Sequence, residues 1–142
     1  MSVTTKERDR IAAVFSGACS QEKVCPVKDI MATYGDKWSM YTVLLLGQHS
    51  KMRFSELRSG ISGISQRMLT VTLRSLEEDG IVLRTIYTEI PPRVEYRLTD
   101  LGESLLKQLL QLAIWADENF VEIMKGRKKH ERVERESLEE SV

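Results

Sequence analysis

The chain has 142 residues, of which 42% are hydrophobic and 30% charged, and its formal net charge is zero. This length suffices for one domain with a substantial core but not for two of ordinary size. No apolar run approaches the ~18–20 residues needed to cross a bilayer. Because residues 1–8 are polar and lack an apolar signal region, we expect a cytoplasmic protein.

The reactive side chains form no recognisable catalytic or metal-binding set. Two cysteines, Cys19 and Cys25, are too few for a disulfide scaffold. With His49 and His130 as the two histidines, nothing has metal-ligand spacing. The sequence contains no Gly-rich phosphate loop and no Ser/His/Asp or Cys/His constellation. We therefore expect no enzyme, no metal and no cofactor.

The chain opens with a predicted amphipathic helix over residues 5–18. Thr4 followed by Glu7 is a capping-box pattern, and the apolar residues Ile11 and Val14 begin one stripe. An N-terminal helix with one apolar face needs a surface to cover it. That surface belongs either to its own domain or to a second subunit.

A second helix is predicted over residues 26–34, with Pro26 at its first position and Gly35 just past its end. Cys25 then occupies the N-cap position. A thiol there faces the positive end of the helix dipole, and this favours the reactive thiolate. The alternative is a small buried residue that happens to precede a proline, and the sequence leaves both interpretations open.

Residues 36–58 predict the centre of the domain. Asp36 is placed to cap a helix over 37–46, which is apolar on nearly every side, is closed by Gly47 and suits a central core position. A turn over 48–52 follows. A short helix over 54–58 then leads into a glycine-containing turn.

The next helix has a core-facing stripe formed by Leu69, Leu73 and Leu76. Ser65 is a suitable N-cap, and Gly80 suits a left-handed C-terminal cap. A short helix, a Gly-containing turn and a second helix with an exposed front together predict a helix-turn-helix. The front carries Arg67, Thr70, Val71 and Arg74, with Gln66 at its edge.

This front suits the major groove of DNA, because arginine matches guanine edges and phosphates, while threonine and valine methyls match thymine. For an isolated helix, an ordinary solvated face is the better interpretation. The charge distribution shifts that balance: residues 51–76 hold five basic residues and one acidic residue, a net charge of +4, although the whole chain is neutral.

A β-hairpin is predicted after this helix, with strands over 82–89 and 94–98. The tip between them contains Pro91 and Pro92, which lack amide donors and stiffen the turn. The hairpin therefore resembles a wing. Three of its basic residues suit either DNA phosphates or plain solvated strand positions, namely Arg84, Arg93 and Arg97.

Thr99 is placed to cap a long helix over residues 100–125, whose apolar stripe is broader than one small domain buries. A partner helix from a second copy explains this width, so we expect a homodimer. Residues 126–142 are charged and lack apolar periodicity, which predicts a frayed or disordered tail.

These elements predict a mainly α fold with a small β-hairpin: a winged helix-turn-helix domain with flanking N- and C-terminal dimerisation helices. The predicted parts are an N-terminal arm over 1–24 that contacts the dimer partner, the DNA-binding domain over 25–99, a dimerisation helix over 100–125, and a disordered tail over 126–142.

Several motifs in this order resemble the HxlR-type family of bacterial transcriptional regulators. They are Cys-Pro-Val at 25–27, Gly-Asp-Lys-Trp at 35–38, Arg-Phe-Ser-Glu-Leu at 53–57, Gly-Ile-Ser-Gln-Arg-Met-Leu at 63–69, Leu-Glu-Glu-Asp-Gly at 76–80 and Pro-Pro-Arg-Val-Glu-Tyr-Arg-Leu-Thr at 91–99. The resemblance implies a homodimer on a pseudo-palindromic operator, with repression as the sign of regulation.

The resemblance also implies that Cys25 aligns with a cysteine through which some members sense oxidants or electrophiles. Its partner in those members is typically a cysteine nearer the C-terminus of the other subunit. This chain has no cysteine after Cys25, so that bridge cannot form. Cys19 with Cys25, Cys25 with its symmetry mate, and reaction of Cys25 alone by mixed disulfide formation or alkylation all stay open.

The expected function is therefore sequence-specific regulation of transcription through double-stranded DNA. Two alternatives stay open: control by a small apolar ligand in the dimer groove, and a winged helix that only contacts proteins. The local positive charge disfavours the second alternative. The expected DNA-binding residues are Ser65, Gln66, Arg67, Thr70, Val71, Arg74, Arg84 and Arg93.

Overall fold

The structure, a computed structural model, describes residues 2–16 and 26–142. The chain divides into two compact units, Met1–Glu103 and Ser104–Val142. The predicted mainly α fold with a small sheet is confirmed. In chain order the elements are α1 (Thr5–Ser16), α2 (Pro26–Tyr34), α3 (Lys37–Gln48), β1 (Met52–Arg53), α4 (Phe54–Gly60), α5 (Gln66–Glu78), β2 (Val82–Tyr87), β3 (Arg93–Leu98) and α6 (Asp100–Glu140).

The sheet of the first unit is antiparallel, with strand order β1-β3-β2. Strands β2 and β3 form the predicted hairpin, in which Arg84 lies opposite Tyr96. The short strand β1 is a correction, since the sequence predicted only a turn there. Met52 pairs with Tyr96 on the free edge of β3, and its side chain is buried.

The core of the first unit forms where α3, α4 and α5 meet the sheet. Val43 and Leu46 of α3 are buried, as a central core helix requires. This helix continues through Gly47 to Gln48, two residues beyond its predicted end. The other buried hydrophobic residues of this core include Leu57, Leu69, Leu73, Leu76, Ile81, Val82, Tyr96 and Leu98.

Both predicted ends of α5 are confirmed. The Ser65 hydroxyl accepts a hydrogen bond from the Met68 amide at 3.0 Å, which satisfies one of the free donors of the first turn. Gly80 has φ +74°, the left-handed conformation that glycine adopts without steric cost. The helix is therefore fixed at both ends before it reaches the wing.

Helix α1 begins with the predicted capping box. The Thr4 amide donates to Glu7 Oε2 at 2.7 Å, and the Glu7 amide donates to Thr4 Oγ1 at 3.2 Å. The helix extends to Ser16, and the predicted last turn at 17–18 lies outside the described residues. No residue of α1 is buried.

The prediction that residues 126–142 are disordered is wrong, because α6 continues to Glu140. Apolar periodicity shows which side of a helix packs against another part of the protein. Glutamate, lysine and arginine have high intrinsic helix propensity, so a stretch rich in them can be helical without such packing. Contacts four residues apart support the exposed end. His130 Nε2 lies 3.1 Å from Glu134 Oε1, and Arg132 Nε lies 3.8 Å from Glu136 Oε1.

The second unit, taken by itself, is a stretch of α6 with an apolar surface in its first half. The large hydrophobic side chains that are exposed there are Leu110, Leu112, Ile114, Trp115, Phe120 and Val121.

Within residues 2–16 and 26–142, no helix is both long and apolar enough to cross a membrane. The same residues hold no group of three or more His, Cys, Asp or Glu side chains that could bind a metal ion.

Candidate nucleic-acid interface

The two faces of α5 differ sharply in exposure. Leu69 and Leu73 on the back are buried, whereas the residues that the sequence assigned to the front are all exposed. One helix therefore has a packing face and a free face. The exposed residues on or beside the front are Ser65, Gln66, Arg67, Thr70, Val71 and Arg74.

The cations of this front have no counter-ion among residues 2–16 and 26–142. In the part of the chain that the structure describes, neither Arg67 nor Arg74 makes an ion pair. Each guanidinium group carries five N–H donors in a planar fork. Val71 lies on the same face and is 57% exposed. Unpaired cations beside an apolar side chain match the mixed chemistry of base edges and thymine methyls.

A depression of about 400 Å³ separates α5 from the wing. Arg74 of α5 and Arg84 of β2 both line it, so a recognition-helix cation and a wing cation share one concave surface. Glu77 is its acidic member. The other lining residues are Phe54, Gln66, Thr70, Leu73 and Tyr96.

A second depression, of about 500 Å³, lies on the other flank of the first turn of α5. It is lined by Ser55, Arg58 and Ser59, together with Phe54 and Gln66, which also line the first depression. Gln66 therefore lines two concave surfaces, one with Arg74 and Arg84 and the other with Arg58. In helix-turn-helix proteins the first helix crosses the DNA backbone while the second enters the groove.

The register of the hairpin determines which wing side chains lie on the sheet face towards α5. Arg84 pairs with Tyr96, and Ile86 pairs with Val94. Directly opposed residues point to the same face of a sheet, and alternate residues share that face. Arg84 and Ile86 therefore lie on the face that borders the depression. Arg93, which pairs with Tyr87, lies on the opposite face.

Arg93 is engaged by protein groups. Its Nη2 lies 3.3 Å from Glu89 Oε1, and its Nε lies 3.4 Å from Glu95 Oε1. The guanidinium group stacks on the Tyr87 ring at 4.2 Å from the centroid. Glu95 is itself buried and also lies 3.7 Å from Lys51 Nζ. From the sequence, Arg93 was expected to contact a phosphate or to be a solvated strand residue, and no sequence pattern indicated this cluster.

One contact at the C-terminal end of α5 has no counterpart in the sequence patterns. The Tyr34 hydroxyl of α2 donates a hydrogen bond to Asp79 Oδ2 at 2.6 Å, and Asp79 is the C-cap residue of α5. Burial raises the pKa of Tyr34 above its ordinary value, with further contributions from the hydrogen bond and negative charge of Asp79. The two residues lie 45 positions apart, so no local spacing could have paired them.

The candidate redox residues Cys19 and Cys25 lie outside the described residues. Helix α2 begins at Pro26, as the sequence predicted.

The family model of the HxlR-like helix-turn-helix proteins matches residues 33–134 of the chain. The chain belongs to this family. The HTH-type transcriptional regulator YtfH of Escherichia coli K12 is 36% identical to this HxlR-like chain over 100 residues, which cover 70% of the chain and 79% of YtfH.

Solved structures agree with this assignment. The transcriptional regulator ytfH from Salmonella typhimurium is 33% identical, with a TM-score of 0.69 over 75% of this chain and 95% of that one. The redox regulator HypR in its oxidized form is 42% identical, with a TM-score of 0.62 over 67% of this chain and 97% of that one. The predicted winged helix-turn-helix fold is confirmed, and the HxlR-like chain is a DNA-binding transcriptional regulator.

Proposed function

We propose that this HxlR-like protein is a sequence-specific repressor that acts in the cytoplasm as a homodimer on a pseudo-palindromic operator. The observation that carries the proposal is the front of α5, where Arg67 and Arg74 are exposed and have no ion pair in the described part of the chain. The back of the same helix is anchored in the core, so the front is presented rigidly.

The residues of the front have separate proposed roles. Arg67 enters the major groove and contacts guanine edges, while Thr70 and Val71 offer methyl groups to thymine. Arg74 contacts a guanine edge or, with Arg84 in the shared depression, a backbone phosphate. Ser65 and Gln66 stand at the helix N-terminus, where Gln66 reaches either an adenine or a phosphate.

Dimerisation is proposed from uncovered apolar surface. Helix α1 exposes Ile11 and Phe15, and the second unit exposes Trp115 and Phe120. Such surface is uncommon on a monomer and typical of a protein interface. Two copies of α5 then contact two half-sites about 10–10.5 base pairs apart, or a multiple of that spacing.

Control by oxidants or electrophiles through Cys25 is proposed as the input signal. Its support is the resemblance to HypR, which is named a redox regulator. Cys25 would react alone, or with Cys19 or its symmetry mate. A Cys25→Ser variant is expected to bind DNA with wild-type affinity, and diamide is expected not to change that affinity. The Cys19→Ser variant shows whether the Cys19 thiol takes part in the reaction with diamide. Unchanged diamide sensitivity of Cys25→Ser would assign the reaction to Cys19, the other thiol of the chain. A wild-type protein whose DNA binding does not respond to diamide would leave an apolar ligand in the dimer groove as the better input.

The DNA-contact proposal is tested on oligonucleotides selected from a random pool by the wild-type protein. Replacing Arg67 or Arg74 by Ala is expected to weaken specific binding by roughly 1–3 kcal/mol where the residue contacts guanine. Arg135→Ala in the exposed end of α6 is the control, since it removes the same charge from a residue that is not part of the helix-turn-helix. Equal affinity of all three variants in a gel-shift titration would overturn the assignment.

A winged helix that contacts only proteins is the alternative function. Salt dependence separates the two, because neutralised phosphates release counterions and make affinity fall steeply with added salt. If the random pool yields no binding oligonucleotide, or if the affinity for the selected oligonucleotide does not fall with added salt, the alternative is favoured.

A further inference from the structure

The charges at the exposed end of α6 are segregated along the helix. Residues 127–132 hold four basic residues and one acidic residue, whereas residues 133–140 hold four acidic residues and one basic residue. Every residue from 126 to 140 is exposed. This terminal segment, residues 126–140, therefore has a positive half and a negative half that meet at Val133.

One face of the terminal segment shows the same segregation around an apolar centre. Val133 is 52% exposed. Residues three, four and seven positions away lie on the same face, because a helix makes one turn every 3.6 residues. This Val133 face is basic before its centre and acidic after it. Its other members are Gly126, Lys129 and His130 on the N-terminal side, and Glu136, Ser137 and Glu140 on the C-terminal side.

The Val133 face is complementary to itself when two copies run antiparallel. A two-fold axis at Val133 places each residue opposite the residue that is equally far beyond Val133 in the second copy. His130 of one copy then faces Glu136 of the other, and Lys129 lies one residue away from the same carboxylate, about 1.5 Å along the axis. A parallel pair would instead place Lys129 opposite Lys129. The charges therefore favour the antiparallel arrangement.

The charges of this face are not neutralised within the chain. Glu136 Oε1 lies 3.8 Å from Arg132 Nε, but both side chains are mainly exposed, so the pair is weak. Among the described residues, Lys129 and Glu140 make no ion pair. Gly126 adds no side chain to the face, which allows the backbone of another helix to approach. A second copy of the segment supplies both the missing charges and that helix.

We propose that the terminal segments of two copies pair antiparallel through the Val133 face, and that this pairing joins two dimers into a tetramer. The inference rests on the proposed function only for the homodimer, and the pairing itself needs no DNA. Residues 110–121, which hold the apolar surface of the second unit, lie outside the paired segment. They stay available for the dimer interface, so α6 has two separate surfaces for copies of the same chain. Closed tetramers with two-fold interfaces are common among soluble oligomers.

Charge reversal tests the pairing in the full-length protein. Lys129→Glu and Glu136→Lys each place like charges beside one another across the two-fold axis. Because symmetry repeats the contact, each variant alone is expected to weaken the dimer–tetramer step at least about tenfold. An equimolar mixture of the two variants restores opposite charges and should regain the wild-type association constant. Sedimentation equilibrium over a concentration series measures each constant.

Two matched controls change the same charges on the far side of the helix. Arg135→Glu and Glu131→Lys lie two residues from Val133, which is about 160° around the helix. Both are expected to associate as the wild type does, and circular dichroism checks that all four variants keep their helix content. Unchanged association of Lys129→Glu and Glu136→Lys would overturn the pairing, as would a loss that their mixture does not restore.

Added salt separates the pairing from the dimer. Screening shortens the Debye length from about 10 Å at 0.1 M to about 3 Å at 1 M, so the tetramer is expected to dissociate into dimers that persist. A tetramer that is equally stable at both salt concentrations would overturn the inference. If the step that depends on salt and on Lys129 joins two monomers instead, the antiparallel pairing is supported and the homodimer of the proposed function is wrong.

Discussion

Helices α1 and α5 are built alike but are used differently. They have 12 and 13 residues, each has an apolar stripe, and each begins with a hydroxyl side chain that accepts an amide hydrogen bond. Yet α5 buries four residues and α1 buries none. An amphipathic pattern thus predicts that one face of a helix packs against another apolar surface, but it does not predict which element supplies that surface. For α5 the cover is α3 and β2.

The largest expected effect lies on the covered face. Leu73 is 2% exposed, and its replacement by Ala removes three carbon atoms from a packed core. Leu73→Ala is expected to lower the free energy of unfolding by about 2–5 kcal/mol. Urea unfolding at neutral pH measures this effect.

Val71→Ala on the exposed front of the same helix is the control, and its effect on unfolding is expected to stay within about 0.5 kcal/mol. It should instead weaken DNA binding. Similar losses of stability in both variants would mean that the two faces of α5 are not distinct.

The uncovered face of α1 is expected to matter for assembly. Phe15 is 69% exposed, and we propose that a second copy covers it. Phe15→Ser should weaken dimerisation by one to two orders of magnitude, or about 1.4–2.8 kcal/mol, as measured by sedimentation equilibrium. Asp9→Ser is the control, because Asp9 lies about 160° from Ile11 around the helix. A dimer that is unaffected by Phe15→Ser would show that α1 has another partner.

The sequence was most accurate where a residue has one dominant conformational preference. The bounds of α2 and α5 were predicted correctly, because Pro26 favours a first helical position, Ser65 an N-cap and Gly80 a positive φ. Asp36 shows the limit of this reasoning. It occupies the N-cap position of α3 but makes no capping hydrogen bond with its side chain, since a suitable residue type does not fix a rotamer.

What depends on distant parts of the chain could not be predicted. The strand β1 has two residues, too few to show alternation, and it exists because β3 offers a free edge. The exposed front of α5 follows from helical periodicity alone. In contrast, the partners of Arg93 follow from strand register, which places Tyr87 opposite it. The pattern of basic residues could not distinguish Arg93 from Arg84.

A smaller effect is expected where α2 holds the end of α5. Tyr34→Phe removes the hydrogen bond to Asp79 and should cost about 1.5 kcal/mol at neutral pH, since the acceptor is charged. The pKa of Tyr34 is raised above its ordinary value of 10.0 by burial and by Asp79. Above pH 10 the unfolded tyrosine therefore loses its proton before the folded one does, and stability falls as pH rises.

The stability difference between the wild type and Tyr34→Phe should accordingly be constant below about pH 9 and shrink above pH 10. The other tyrosines are present in both proteins and cancel. Urea unfolding from pH 7 to 11 provides the measurement. A difference that grows with pH would mean that Tyr34 ionises more readily when folded.

The smallest expected effects compare the two N-caps directly. Ser65→Ala should cost about 1 kcal/mol of global stability, because α5 folds together with the core that it covers. Thr4→Ala removes an equivalent hydrogen bond, but α1 buries no residue, so the loss should fray the helix and leave global unfolding unchanged.

The pKa of Glu7 measures this local change, since hydrogen bonds from the Thr4 amide and hydroxyl lower that pKa from its ordinary value of 4.5. In Thr4→Ala that pKa should rise towards the ordinary value, as followed by NMR titration, while the urea midpoint stays constant. A midpoint lowered as far as in Ser65→Ala would show that α1 folds cooperatively with the core, and would remove the distinction between the two helices.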